Sequence, residues 1–309
     1  MRLHLDTDFA GDTDDACALA MVLGWSDVEV VGITTTADPD GQRAGYLAHV
    51  LRLVGREDIP VAAGAGVSIT TGLPMGGVPD HEAYWGTLVE PRSGPPEAAV
   101  DLIARSLDLG ATIAAIGPLT NLALLEQARP GRLNGARVVV SGGWVHAPEG
   151  DLPLWGPDKD WNIQCDTRAA FYVATHARLT LTPFTITLRT HLRSVHLNRL
   201  TASGSLGKLL ARQAVAHGAE YGMAELGRAH TGLPGDLLNF QYDPAACAVA
   251  LGWPGALVEE VRLHPVLGGD VLHFEPDDDG RRIGLVVELD GSQFAETWIA
   301  CVEEAQRRR

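Results

Sequence analysis

The sequence predicts an α/β protein with a mostly parallel central sheet flanked by helices. Two observations carry this expectation. Runs suited to buried strands alternate with runs of helical spacing through the first 182 residues. The 309 residues are 46% hydrophobic and 20% charged, enough apolar material for a substantial core and too much for a disordered chain.

The elements follow in order. Leu3–Leu5 reads as a strand that runs into an aspartate cluster and then into a helix of small and apolar residues, Ala16 to Leu23. Val28 to Thr36 is β-branched enough for a buried strand, and Arg43 to Val54 places Leu47, Val50, Leu51 and Val54 on one helical face. Ile59 to Ala63, Ala111 to Ile116, Val138 to Ser141 and Leu179 to Thr182 are further strands. Ala98 to Leu107, Asn121 to Gln127 and Thr167 to Thr175 are the helices among them. The Pro/Gly-rich stretch 64–96 carries His81, Tyr84 and Trp85, so it is expected to be a rim or lid loop rather than a linker. Residues 203–240 read as a helical insertion, and Val258 to Leu289 contains strand-like runs around the turn Asp277–Gly280. No repeat is visible, and the expectation is one domain, 1–309, with an open Rossmann-like core and insertions.

Charge and cysteine usage exclude several classes. Lys and Arg number 24 against 39 Asp and Glu, a formal charge of −15, which disfavours nucleic acid polymers and anionic membranes as partners. The four cysteines, Cys17, Cys165, Cys247 and Cys301, are far apart and suggest neither a zinc site nor a disulfide framework. Asp6 interrupts any signal-like apolar run and no stretch of about 18 apolar residues follows. A cytoplasmic protein is expected.

The segment from Asp6 to Asp15 holds five carboxylates in ten residues, between a strand end and an apolar helix. Like charges this close repel, and the carboxyl ends of strands in an open sheet are where ligands bind. A hard divalent cation is the simplest neutraliser, and calcium suits all-oxygen donors better than zinc. Helix capping by Asp12 and Asp14 in a solvated turn is the plain alternative, and accounts for only one or two of the five.

The Asp6–Asp15 segment resembles the N-terminal aspartate motif of the nucleoside hydrolase family, the inosine-uridine-preferring type, in a variant with two extra residues before the final pair. Further segments resemble the family in order: Gly32–Thr35, Ile59–Gly64, Ile116–Ala123 (IGPLTNLA), Ser141–Gly143, Asp160–Trp161–Asn162 with Asp166, and Tyr242–Asp243–Pro244. The resemblance implies a nucleoside hydrolase-like fold and a Ca2+ ion held by Asp8, Asp15, the main-chain carbonyl of Ile116 and Asp243, with Asp12 as a further candidate ligand. It implies a small-molecule nucleoside or N-riboside substrate whose ribose hydroxyls also reach the ion, Asp8 as the base for the attacking water, and a homodimer or homotetramer. Asp14 and Asn162 are implied to hold ribose hydroxyls; Asp38, Ser141 and Asp160 are carried as substrate-binding candidates. Many relatives have histidine where this chain has Tyr242, so the leaving-group acid is open among Tyr242, His81 and His230. Trp85 and Trp161 are the tryptophans singled out for contact with the base, and the others are expected to pack structurally.

The expected reaction is hydrolysis of the C1′–N bond through an oxocarbenium-like state favoured by neighbouring carboxylates. Two rivals are a non-catalytic calcium-dependent ribose-binding protein and a haloacid-dehalogenase-type phosphatase. The second fits poorly, because the only lysines are Lys159 and Lys208. A modified or unusual N-riboside remains a variant of the first reading.

Overall fold

The computed structural model describes residues 1–78, 81–95 and 97–307. The strands are β1 (Arg2–Thr7), β2 (Glu29–Thr35), β3 (Val61–Ala63), β4 (Thr112–Ala115), β5 (Arg137–Ser141), β6 (Arg178–Thr182), β7 (His191–Arg193), β8 (Leu237–Phe240), β9 (Ala256–Gly268), β10 (Val271–Pro276) and β11 (Arg281–Leu289). In the βα part of the chain the helices are α1 (Asp14–Gly24), α2 (Gln42–Leu53), α3 (His81–Tyr84), α4 (Glu97–Asp108), α5 (Thr120–Ala128), α6 (Trp161–Gln164) and α7 (Thr167–His176). Beyond β6 come α8 (Phe184–Thr187), α9 (Leu197–Ala202), α10 (Ser205–Glu220), α11 (Met223–Ala229), α12 (Tyr242–Ala250) and α13 (Gly291–Arg307).

Nine strands form one sheet in the order β10-β9-β11-β6-β5-β4-β1-β2-β3. The pairings from β3 across to β11 are parallel, whereas β11–β9 and β9–β10 are antiparallel. The predicted α/β class is therefore present, with an antiparallel end made by the strand-like runs around Asp277–Gly280. The helical stretch foreseen at 203–240 begins earlier, at Leu197, and ends in β8, which pairs with β7 as a separate two-stranded ribbon. The stretch 64–96 contains the short helix α3 and an antiparallel bridge between Val67 and Pro74; its residues 79, 80 and 96 lie outside those described.

Helix α1 is buried along its whole length, as its run of small and apolar residues requires. It packs beneath α12 and α13, and the Trp298 indole N–H donates to the Cys17 carbonyl at 3.0 Å. The amphipathic C-terminal helix α13 was not foreseen. It turns Phe294, Trp298, Ile299 and Val302 inward against α1.

From β1 the chain runs to β2 and β3 on one side of the sheet, then crosses to β4 on the other side of β1. Such a reversal opens a crevice outside the carboxyl ends of the two central strands. The aspartate segment follows β1, and Ile116 follows β4, so both lie at that crevice.

Candidate active site

Asp8 is the first residue beyond β1, Asp14 and Asp15 open α1, and Asp243 is the second residue of α12. Carboxylate oxygens of Asp14, Asp15 and Asp243 lie within 4.8 Å of one another, and all three residues are buried. The amino ends of α1 and α12 both meet the cluster, and each helix carries its acids in the first turn, where the helix dipole favours negative charge. Asp243 is not the cap of its helix; Gln241 precedes the first turn, which leaves the Asp243 carboxylate available.

Burial raises the pKa of each of the three, and repulsion from its acidic neighbours raises it further. The Thr7 hydroxyl donates to Asp15 and the Ser141 hydroxyl to Asp243, while the Asp243 N–H donates to Asp14 at 3.3 Å. Asp8 stands beside the three rather than among them, and its charge is felt by all three, Asp14, Asp15 and Asp243. Burial raises the Asp8 pKa, against the opposing influence of Arg43, and the Trp161 indole N–H donates to its Oδ2 at 3.1 Å. A buried group of carboxylate oxygens, with no sulfur or imidazole in it among the described residues, fits a hard cation of the calcium or magnesium kind.

Other elements shape the crevice. The Ile116 N–H donates to the Asp6 carbonyl at 2.8 Å, which locks the end of β4 to β1. A Cβ at Gly117 would stand 2.6 Å from the Asp8 nitrogen, so only glycine lets this segment pass Asp8. The Asn162 amide donates to the carbonyls of Ile116 (3.2 Å) and Ser141 (3.1 Å), joining the ends of β4 and β5. The Asp12 Oδ1 accepts from the Asn239 amide at 2.7 Å and lies 3.5 Å from His217 Nδ1, while its negative charge acts on Asp14 and Asp8. Tyr242, the first residue of α12, packs on Phe240, and burial beside Asp12 and Asp14 holds its phenol protonated.

The remaining sequence candidates sit elsewhere or are already occupied. The Asp38 carboxylate accepts from the Thr35 hydroxyl (2.8 Å) and from the main-chain N–H groups of Arg43 (2.9 Å) and Ala44 (3.0 Å), fixing the start of α2. Asp160 accepts from the N–H groups of Gly143 (2.7 Å) and Trp144 (3.3 Å), and burial pushes its pKa up to about 6. The close approach that Gly142–Gly143 permits is thus made by Asp160: a Cβ on Gly142 would meet its Oδ1 at 2.7 Å. Trp85 is buried and stacked on Tyr46 at 4.1 Å, and His81 lies on the same tyrosine at 5.5 Å. His230 sits at the end of α11 with Nδ1 3.4 Å from Asp151. Trp161 is the exposed aromatic at the site, 55% accessible.

Sequence reasoning missed three residues here. His217 carries no signal in the sequence, because its acidic neighbour Asp12 is 205 positions away. Asn239 gave no signal. Arg43 gave one that went unread: a basic residue in the first turn of a helix opposes the helix dipole, so it needs another reason to be there. The Asn121 side chain, inside the GPLTN segment, donates to Asp6 (2.8 Å) and the Thr35 carbonyl (2.9 Å) and accepts from the Ala65 N–H (2.8 Å), tying the ends of β1 and β2 to the segment after β3.

Comparison with known proteins bears on the family and the fold. The sequence profile described as inosine-uridine preferring nucleoside hydrolase matches residues 3–302. A pyrimidine-specific ribonucleoside hydrolase of Citrobacter koseri is 35% identical over 167 residues, 51% of this chain and 52% of that protein. The corresponding hydrolase of Salmonella schwarzengrund is 34% identical over 180 residues, 55% of this chain and 56% of that protein. The chain thus spans about half the length of these curated relatives. Among solved structures, a plant nucleoside hydrolase superposes with a TM-score of 0.78 at 22% identity, covering 98% of both chains. A purine-preferring ribonucleoside hydrolase from Gardnerella vaginalis gives 0.78 at 21% identity, covering 99% of this chain and 100% of that one. At these identities the superpositions speak for the shared fold. With the profile match running from the first strand into the last helix, the chain belongs to the inosine-uridine preferring nucleoside hydrolase family.

Proposed function

We propose that this protein hydrolyses the N-glycosidic bond of a ribonucleoside or related N-riboside, releasing ribose and free base, with calcium seated at the carboxylate group. The observation that carries the reading is the convergence of Asp14, Asp15 and Asp243, from opposite ends of the chain, within 4.8 Å at the switch point of the sheet. Asp15 and Asp243 are the central ligands in this reading, with Asp8 and the Ile116 carbonyl beside them. Calcium bound there would neutralise the crowded carboxylates and offer its open coordination positions to a vicinal diol.

The side chains divide the chemistry. Asp8, at the rim of the group and held by the Trp161 N–H, takes the proton of the attacking water. Asp14 and Asn162 orient the ribose hydroxyls, and the surrounding negative charge favours the oxocarbenium-like state as the base departs. Tyr242, the first residue of α12, is the donor to the leaving base in this reading; burial and the neighbouring Asp12 and Asp14 raise its phenol pKa, so it would protonate only a base that already carries developed negative charge. His230 is engaged with Asp151, and His81 rests on Tyr46, which makes Tyr242 the preferred donor of the three. A homodimer or homotetramer in a reducing, cytoplasmic compartment belongs to the same proposal, with four free cysteines suited to that setting.

The test is a reducing-sugar assay over purine, pyrimidine and modified ribonucleosides, with calcium and with chelator. Calcium-dependent release of ribose is expected. Nucleoside binding without any sugar released would leave a binding protein, and phosphate release from an aryl phosphate would instead indicate a phosphatase.

A further inference from the structure

Arg43 is 2% exposed, and its guanidinium makes no ion pair among the described residues; its hydrogen bonds go to main-chain carbonyls. Nε donates to Ala37 (2.8 Å), Nη1 to Asp8 and to Phe9 (3.1 Å), and Nη2 to Gly77 (2.8 Å). These carbonyls belong to three segments remote in sequence: the aspartate segment after β1, the turn after β2, and the rim loop. A buried cation is costly unless its donors are satisfied, and neutral carbonyls satisfy them without cancelling the charge. Its field still reaches the Asp8 and Asp15 carboxylates.

Two backbone features point the same way. Ala10 (φ 70°) and Ala37 (φ 53°) hold left-handed conformations that alanine disfavours, and such conformations persist only where surrounding bonds impose them. Arg43 bonds the Ala37 carbonyl itself and the carbonyl of Phe9, immediately before Ala10. The arginine is in turn fixed at its own N–H by Asp38 Oδ1 (2.9 Å), and Gly11 leaves room for it, since a Cβ there would lie 3.0 Å from Nη1. The rim loop continues onto the site: a Cβ at Gly76 would lie 3.1 Å from the Trp161 ring, whose N–H holds Asp8.

We propose that Arg43 is the positioning residue that fixes Asp8 and couples it to the rim loop, with the planar guanidinium bridging carbonyls on both sides of the crevice. The inference rests on the role given to Asp8 above. Arginine is required because its donors fan out in a rigid plane; a lysine ammonium, donating from one point, cannot span acceptors on three segments. The Gly76–Gly77 part of the rim loop and the Asp8 segment are thereby held by one side chain, so a shift in either is passed to the other.

The experiment compares Arg43→Met and Arg43→Lys with wild type, by steady-state kinetics on a cleaved ribonucleoside and by hydrogen exchange in chelated protein. Exchange is read in peptides holding the Gly11 amide, bonded to the Asp8 carbonyl (3.2 Å), and the Met75 amide, bonded to Gly66 (3.0 Å). A peptide from α7 is the control. Arg43→Met is expected to lower kcat about 100-fold, the loss that a displacement of about 1 Å causes, with KM changed by less than about threefold. Exchange at both peptides should quicken about tenfold relative to the α7 control, as expected for local rather than global loosening. Arg43→Lys should fall between the two. A fold-wide increase in exchange with kcat intact would reduce Arg43 to a stability role and overturn the proposal, as would wild-type kcat and exchange in Arg43→Lys should Arg43→Met fail to fold. If wild type cleaves no N-riboside, the proposed function fails, while the chelated exchange data still decide whether Arg43 holds the two loops.

Discussion

Replacing Asp243 by asparagine should separate a carboxylate kept for a cation from one kept for the fold. At an effective dielectric constant of ~20, two unit charges 4.8 Å apart repel by about 3.5 kcal/mol, and Asp243 faces two such neighbours. The metal-free wild type relieves most of this by retaining protons, as the raised pKa of all three carboxyls requires. The realised gain from Asp243→Asn is therefore on the order of 1–2 kcal/mol, or a few degrees in Tm for a chain of this size. Calcium should act in the opposite sense. At a concentration 100 times its Kd it should stabilise the wild type by about 2.7 kcal/mol and leave Asp243→Asn nearly unmoved. Calorimetric melting in chelator and in calcium reads both effects at once, with calcium titration as the direct measure of affinity. A variant that melts lower than wild type in chelator, yet keeps the full calcium-induced shift, would refute the assignment of Asp243 as a ligand.

The other expectations are more local. Because Asp14, Asp15 and Asp243 have folded pKa values raised above the ordinary carboxylate range, their protonation stabilises the chelated protein at low pH, and that stability is lost as pH rises through the raised values. The melting temperature in chelator should therefore fall as pH rises above the ordinary carboxylate range, and saturating calcium should flatten the profile; a flat profile in chelator would contradict the electrostatics. Tyr242→Phe should slow nucleosides with poor leaving groups at least about tenfold more than p-nitrophenyl riboside, within the range for a general acid, and equal slowing would remove Tyr242 as the donor. Asn121→Ala should destabilise by about 1–3 kcal/mol in chemical denaturation, because it strands the buried Ala65 N–H and leaves the buried Asp6 carboxyl with the Thr34 hydroxyl alone as side-chain donor; a loss under about 0.5 kcal/mol would show that water replaces the amide.

The βα alternation, the acidic segment and the late Tyr242–Asp243–Pro244 segment were legible in the sequence because periodicity and short motifs are local properties of a chain. Which carboxylates meet was decided only by folding. Asp14 joins Asp15 and Asp243 because two helix ends converge there, whereas the Oδ1 of Asp12, three residues before Asp15, accepts from Asn239 and lies beside His217. Asp38 and Asp160 looked like ligand-facing acids in one dimension, yet in three they are consumed by main-chain N–H groups of neighbouring turns. Arg43 serves carbonyls from three separate loops, and α13 closes over α1 from the far end of the chain. Such contacts depend on which surfaces the sheet order brings together, and the sheet order is set by packing of the whole chain rather than by any window of it.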